Sequence, residues 1–294
     1  MFKLAHFSDP HIGPLPRPSM RELLSKRITG YLNYKRNRSR ALTGDVLGTL
    51  LSDLKKQAPD HIALTGDIVN IALDAEILAA RQWLESVGQP RDISLIPGNH
   101  DAYVRGSLNK AKGAWSPFWL GDDARDEVEF PYLRRRGPIA IIALSTGVAT
   151  APFMATGTLG RQQIEKAGQL LRQTASPDIY RAVLIHHPPF VEKGRWMKRL
   201  TDHRAFVKMI EKEGGELVLH GHTHRRNVTS LKGPKGSIPV VGVPSASSGL
   251  NGKHEPSRYN LFNIEKQNEQ WKCLHIERGV TPKGTFEELS RKVL

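Results

Sequence analysis

Apolar residues along this chain fall into two alternating patterns. Short, mostly apolar runs at 3–8, 60–65, 92–96, 139–144, 181–185 and 216–219 read as buried strands. Between them, apolar positions recur every three or four residues, which predicts helices over 19–34, 45–57, 74–87, 159–173 and 202–213. In the first of these the apolar positions are Met20, Leu23, Leu24, Ile28, Tyr31 and Leu32. Past about residue 236 the pattern turns to strands alone, at 238–243, 259–264 and 270–277, consistent with an antiparallel meander at about 236–278. Strands and helices alternating over most of the length predict an α/β fold. Residues 102–136, with Trp115, Phe118, Trp119 and a run of charges, interrupt that rhythm and read as an insertion with local helix. No long repeat, low-complexity tract or linker divides the chain, so a single domain over 1–294 is expected.

Composition narrows the class. At 294 residues, 39% hydrophobic and 24% charged, the chain can bury a sizeable core and is neither disordered nor membranous by composition. No apolar run reaches the roughly 18 residues of a spanning helix. A single cysteine, Cys273, excludes an internal disulfide framework and a zinc ribbon. The first nine residues lack the apolar core of a signal peptide, and a cytoplasmic location is expected. Forty-three Lys and Arg against 29 Asp and Glu give a net charge of +14. That surplus either keeps the surface soluble or favours an anionic partner: nucleic acid, a phospholipid surface or a phosphorylated metabolite.

Position says more than charge. Five predicted strands each end in a residue type that binds metal: Asp9 with His11, Asp67, Asn99 with His100, His186, and His222 with His224. In open α/β sheets, ligands gather outside the carboxyl ends of the strands, so one sheet would bring these ends to one rim. Gly66, Gly98 and Gly221 directly precede three of them, where the backbone must turn sharply off a strand. Oxygen and imidazole donors without thiolate suit manganese, iron, zinc or cobalt. Seven ligands exceed one tetrahedral ion but suit two ions sharing a carboxylate. Paired metals roughly 3.5–4 Å apart are a recurring device for phosphoester hydrolysis.

Asp9-Pro-His11, Gly66-Asp67-Ile-Val-Asn70, Gly98-Asn99-His100-Asp101, His186 and Gly221-His222-Thr-His224 together resemble the five-block signature of the calcineurin-like metallophosphoesterases. The blocks occur in the family's order over 9–224, each after a predicted strand. The resemblance implies a four-layer αββα sandwich with two mixed β-sheets and the metal site at the carboxyl ends of the strands. It further implies that Asp9, His11 and His224 hold one metal, that Asn99, His186 and His222 hold a second, and that Asp67 bridges them. The cofactors implied are two divalent or mixed-valence ions, manganese or iron first, with zinc or cobalt also accommodated. His100 would be no ligand; it would protonate the leaving oxygen, with Asp101 orienting it, while a hydroxide between the metals attacks phosphorus. Ala-Leu-Thr-Gly-Asp occurs twice, ending at Asp45 and Asp67. Asp45 opens a predicted helix, where a carboxylate suits the dipole, so Asp67 is expected to be the ligand. His186 stands two residues before a proline, as the family's ligand does; His187 is then expected to shape the surroundings or touch substrate. His6, His61, His203, His254 and His275 belong to no motif and read as structural or solvated.

Substrate is less determined. Residues 14–40 form an addition to the minimal family pattern, attached to a metal-bearing loop, in which eight Lys and Arg face Glu22 alone. A basic helix there gathers anionic substrate, lies on an anionic membrane surface through residues 17–40, contacts a second subunit in a homo-oligomer, or simply covers the core. Trp115, Phe118 and Trp119 wall the same mouth or belong to the core. The first expectation is a phosphodiesterase acting on a small phosphoester, either phospholipid-like or a nucleotide. A nuclease or nucleic-acid-binding protein is the alternative, and a non-catalytic scaffold ranks last because the whole ligand set is present.

Overall fold

The computed structural model describes residues 1–38, 46–124, 127–250 and 254–294. In chain order its first half comprises β1 (Phe2–Phe7), α1 (Met20–Leu23), α2 (Arg27–Asn33), α3 (Val46–Lys56), β2 (His61–Leu64), α4 (Asp74–Val87), β3 (Ile93–Leu95), α5 (Ser107–Trp119) and β4 (Tyr132–Arg136). The second half comprises β5 (Ile139–Ala143), α6 (Arg161–Gln173), β6 (Tyr180–Leu184), α7 (His203–Glu213), β7 (Leu217–His220), β8 (Asn227–Gly233), β9 (Gly236–Gly242), β10 (Arg258–Gln267), β11 (Gln270–Val280) and β12 (Phe286–Val293). Among the described residues no helix is long and apolar enough to cross a membrane.

Two mixed sheets of six strands result, one in the order β12-β11-β10-β1-β2-β3 and the other β4-β5-β6-β7-β9-β8. The mostly apolar runs form the parallel strands, because those are covered on both faces. Alternate residues of β5 show this directly. Ile139, Ile141 and Ala143 join the main core, which also holds Leu4, Leu64 and Phe262 of the other sheet, whereas Ala140 and Ile142 join a second cluster with Leu171 of α6 and Phe206 and Ile210 of α7. The first core therefore fills the space between the sheets and continues under α3, α4 and α5, and the second lies under α6 and α7. α4 follows from local signals: Asp74 and Glu76 sit in its first turn, where the dipole favours them, and Ile77, Ala80, Leu84 and Val87 recur on its buried face.

Several expectations change. The helix expected over 19–34 is two short helices with a break at 24–26, followed by a π-helical turn, Tyr34–Arg38. Most of its apolar face does not cover the core: Met20, Leu24, Ile28 and Leu32 are exposed, Tyr31 packs against the core, and the buried residue of α2 is Arg27. The meander expected at 236–278 is divided between the sheets, with β9 parallel to β7 in one and β10–β12 antiparallel in the other. β4, β8 and β12 escaped the pattern because none presents an apolar run; β4 reads Tyr-Leu-Arg-Arg-Arg, and β8 and β12 face solvent along most of their length. Trp115, Phe118 and Trp119 are completely buried core residues, so they wall no mouth. Asp45, the expected helix start, lies outside the described residues.

Candidate metal centre

The loops leaving β1, β2, β3, β6 and β7 carry Asp9 and His11, Asp67, Asn99 and His100, His186, and His222 and His224. Asp9, His11, Asp67, His222 and His224 all have positive φ, between 40° and 67°. Non-glycine residues enter that region at a cost, and such strain gathers where side chains are made to converge. The glycines make room: a Cβ on Gly98 would collide with Asp67 Oδ1, and one on Gly221 with Ser8 Oγ.

The donor atoms form two cradles. In the first, His224 Nε2 lies 3.1 Å from Asp9 Oδ1 and 3.4 Å from His11 Nε2. His11 Nδ1 faces the Val69 carbonyl at 3.1 Å; a carbonyl only accepts, so Nδ1 carries a ring proton and Nε2 is the nitrogen turned into the cradle. In the second, His186 Nε2 lies 3.3 Å from both Asp67 Oδ2 and Asn99 Oδ1. His186 Nδ1 donates to the Thr65 carbonyl at 2.7 Å, so Nε2 is the nitrogen turned toward the two oxygens. Facing acceptors of this kind call for a positive charge between them, which is the test a cation site must pass. The titration shifts carry the same demand. Burial would lower His186, but the Asp67 charge overrides it and raises the imidazole to about 9. Burial would likewise raise Asp67, yet His186 and then His100 hold it well below the usual carboxylate range. His222 Nε2 donates to the Lys198 carbonyl at 2.9 Å, leaving Nδ1 unprotonated. Asp67 belongs both to a group with Asp9 and His186 and to one with His11 and His100, each with donor atoms within 4.8 Å of one another, so it stands between the two cradles.

Residues 2–226 match the sequence model of the calcineurin-like phosphoesterases. The chain belongs to that family. It is accordingly a metal-dependent phosphoester hydrolase, of a family that implies a dinuclear divalent site. A probable cyclic nucleotide phosphodiesterase of Synechococcus is 27% identical over 219 residues, 74% of this chain and 76% of that protein. Among solved structures, a dimetal phosphatase of Danio rerio superposes with a TM-score of 0.63 at 12% identity, over 99% of this chain and 98% of that one. The purple acid phosphatase PPD1 of yellow lupin gives 0.60 at 13% identity, over 99% of this chain and 53% of its own. Both show the same two-sheet fold.

Around the cradles this phosphoesterase departs from expectation at one residue. Asp101 was expected to orient His100. Its carboxylate instead accepts the backbone N–H groups of Asp67 (2.9 Å), Ile68 (2.9 Å), Val69 (3.2 Å) and Gly98 (2.8 Å). The group that meets His100 Nδ1 is the Asn70 carbonyl. The 67–73 loop has more main-chain donors than its own fold can satisfy, and buried amides need acceptors. Glu76 supplies the rest, accepting from Asn70, Ile71 and Leu73 at 2.7–3.1 Å. His187, expected to shape the surroundings or touch substrate, does the first: it is completely buried, with Nδ1 meeting Thr146 Oγ1 at 2.7 Å and Nε2 the Ala155 carbonyl at 3.1 Å. Burial lowers it to about 3, so it packs as a neutral ring under His222, 4.2 Å between centroids.

Three further neighbours of the site lay in no motif. Tyr103 stacks on His100 at 5.5 Å, and Lys26 Nζ lies 4.8 Å above the Tyr103 ring while donating to Thr150 Oγ1 and the Met154 carbonyl. Burial lowers Lys26 to about 8. His254 stands 5.1 Å from His224, ring to ring. The only sequence signal for Lys26 and Tyr103 was membership of the two insertions, and for His254 there was none. His6, His61 and His275 are buried and bonded to Thr65, Ser94 and Asn260 respectively, as structural histidines should be.

Proposed function

We propose that this phosphoesterase hydrolyses phosphodiesters at a site where Asp9, His11 and His224 hold one metal ion, Asn99, His186 and His222 hold a second, and Asp67 is shared. The observation that carries the reading is the convergence of imidazole nitrogens, carboxylate oxygens and an amide oxygen in two adjoining cradles. Bound there, paired cations supply Lewis acidity, lowering the pKa of water and neutralising charge on the phosphoryl group. Carbonyls of Val69, Thr65 and Lys198 fix which nitrogen of His11, His186 and His222 points into the cradles, so the rings are oriented before metal arrives.

His100 has a different task. Its Nδ1 is tied to the Asn70 carbonyl and its ring is held edge-on against His11 and stacked on Tyr103. With Nδ1 donating, Nε2 carries a proton only as imidazolium, and that proton is the one delivered to the departing oxygen. Preference for a diester is supported by the similarity to a probable cyclic nucleotide phosphodiesterase. Turnover of bis-p-nitrophenyl phosphate against p-nitrophenyl phosphate, with manganese, iron, zinc or cobalt supplied, tests it. Diester turnover above monoester turnover is expected; the reverse order would make it a monoesterase, and no metal-dependent turnover of either would remove the reading.

A further inference from the structure

Seven of the twelve large apolar side chains that stand exposed among the described residues lie on three segments around the site mouth. Met20 (79% exposed), Leu24 (86%), Ile28 (47%) and Leu32 (48%) recur every fourth residue along α1 and α2. Phe153 (86%) lies on the 145–155 loop, and Trp196 (60%) and Met197 (46%) on the 190–200 loop. The segments are tied to one another and to the site. Lys26 donates to the Met154 carbonyl, Ala155 N–H donates to the Met197 carbonyl at 2.9 Å, and the Lys198 carbonyl accepts from His222. On its other side α2 is pinned down. Arg27 Nε donates to the Ile71 carbonyl at 3.0 Å and Nη2 to the Ala72 carbonyl at 2.5 Å, and a Cβ on Gly30 would collide with Tyr103. The helix thus turns a buried arginine and a glycine to the 67–73 loop and Tyr103, while its Ile28 and Leu32 face water.

Charge says what such a surface suits. Arg17, Arg21, Lys35 and Arg36 are exposed beside the apolar row, Lys193 and Lys198 are exposed beside Trp196, and the Arg199 guanidinium lies over the Trp196 ring. The acids among them are already engaged: Glu22 in the Ser19 cap and Glu192 with Arg195. Apolar side chains interleaved with cations match a bilayer interface bearing anionic headgroups, where the former enter the acyl boundary and the latter meet phosphate. We propose that this rim docks on an anionic lipid bilayer, with the metal centre turned toward the membrane surface. The docking does not require the assignment of His100 or of diester specificity, since binding is read without turnover.

Metal-loaded full-length protein is to be sedimented with vesicles of phosphatidylcholine and phosphatidylglycerol in equal parts, and with phosphatidylcholine alone. Selective association with the anionic vesicles is expected, and Leu24→Glu combined with Ile28→Glu should weaken it at least ~10-fold. Trp196→Glu should weaken it independently. Metal content and turnover of soluble bis-p-nitrophenyl phosphate should stay unchanged in the double variant, showing that it folds. Three results overturn the proposal: no association of the wild type, equal association with neutral vesicles, or double-variant binding equal to wild type. A wild-type dimer that the double variant splits, without vesicle binding, would assign the same face to a second copy of the chain.

Discussion

The backbone N–H of His100 donates to Asp67 Oδ1 at 2.7 Å. The residue proposed to protonate the leaving group is thereby fastened, through its main chain, to the carboxylate proposed to be shared by both cations. Removing the imidazole should leave that bond intact. His100→Ala is expected to retain its metal and lose turnover by about 10²–10⁴-fold, the range for a missing general acid. The loss should be larger for an alkyl leaving group than for p-nitrophenolate, which needs little protonation. Metal analysis beside steady-state kinetics on the two substrates checks it; equal losses for both leaving groups would assign His100 another role.

Asp101 matters through the loop it holds. Four backbone amides converge on its carboxylate, so Asp101→Ala leaves buried donors without acceptors. At roughly 1–3 kcal/mol for each such group, a destabilisation of at least about 3 kcal/mol is expected. Asp101→Asn keeps one acceptor oxygen and should cost less. Urea unfolding of the metal-free proteins measures the difference, and near-wild-type stability of Asp101→Ala would contradict the amide-acceptor role.

A pH effect on stability is expected from His61, well away from the metal cradles. Burial first, and then the charges of Arg134 and Arg136, push its imidazole down to about 3, below the ordinary 6.5. Its Nε2 meets Ser94 Oγ at 2.8 Å, and Nδ1 is buried with no partner. A group with a depressed folded pKa contributes stability above its unfolded pKa and loses it as pH falls toward the folded value. By about pH 5 the loss should be about 2 kcal/mol. In His61→Gln that loss is absent, so its stability gap to wild type should narrow by this amount between about pH 7.5 and about pH 5. Parallel curves would show that His61 does not titrate in this window.

Much of this was legible in the residues. The parallel strands announced themselves because strands covered on both faces are mostly apolar, as the short runs ending before Asp9, Asp67 and His186 are. The candidate ligands were legible because each follows such a run, and a strand end fixes location as well as chemistry. What escaped were features set by main-chain geometry. Nothing local tells Asp101 to cap amides of residues 67–69, since that demand arises only once the loop turns away from β2. His187 could not be distinguished from a substrate contact until Thr146 and Ala155 were seen to occupy both its nitrogens. Arg27 reads as one surface cation among many, yet it is the buried residue of α2. Its target carbonyls, Ile71 and Ala72, belong to a distant stretch of chain.

The shared site is tested most directly by counting metal on purified, reconstituted protein by elemental analysis, for wild type, Asp67→Ala and Asp45→Ala. Two ions per wild-type chain are expected from the two adjoining cradles. Asp67→Ala should lose stoichiometric binding of both, together with activity, while Asp45→Ala keeps both. A single ion per wild-type chain, or full metal content in Asp67→Ala, would contradict a centre built around Asp67.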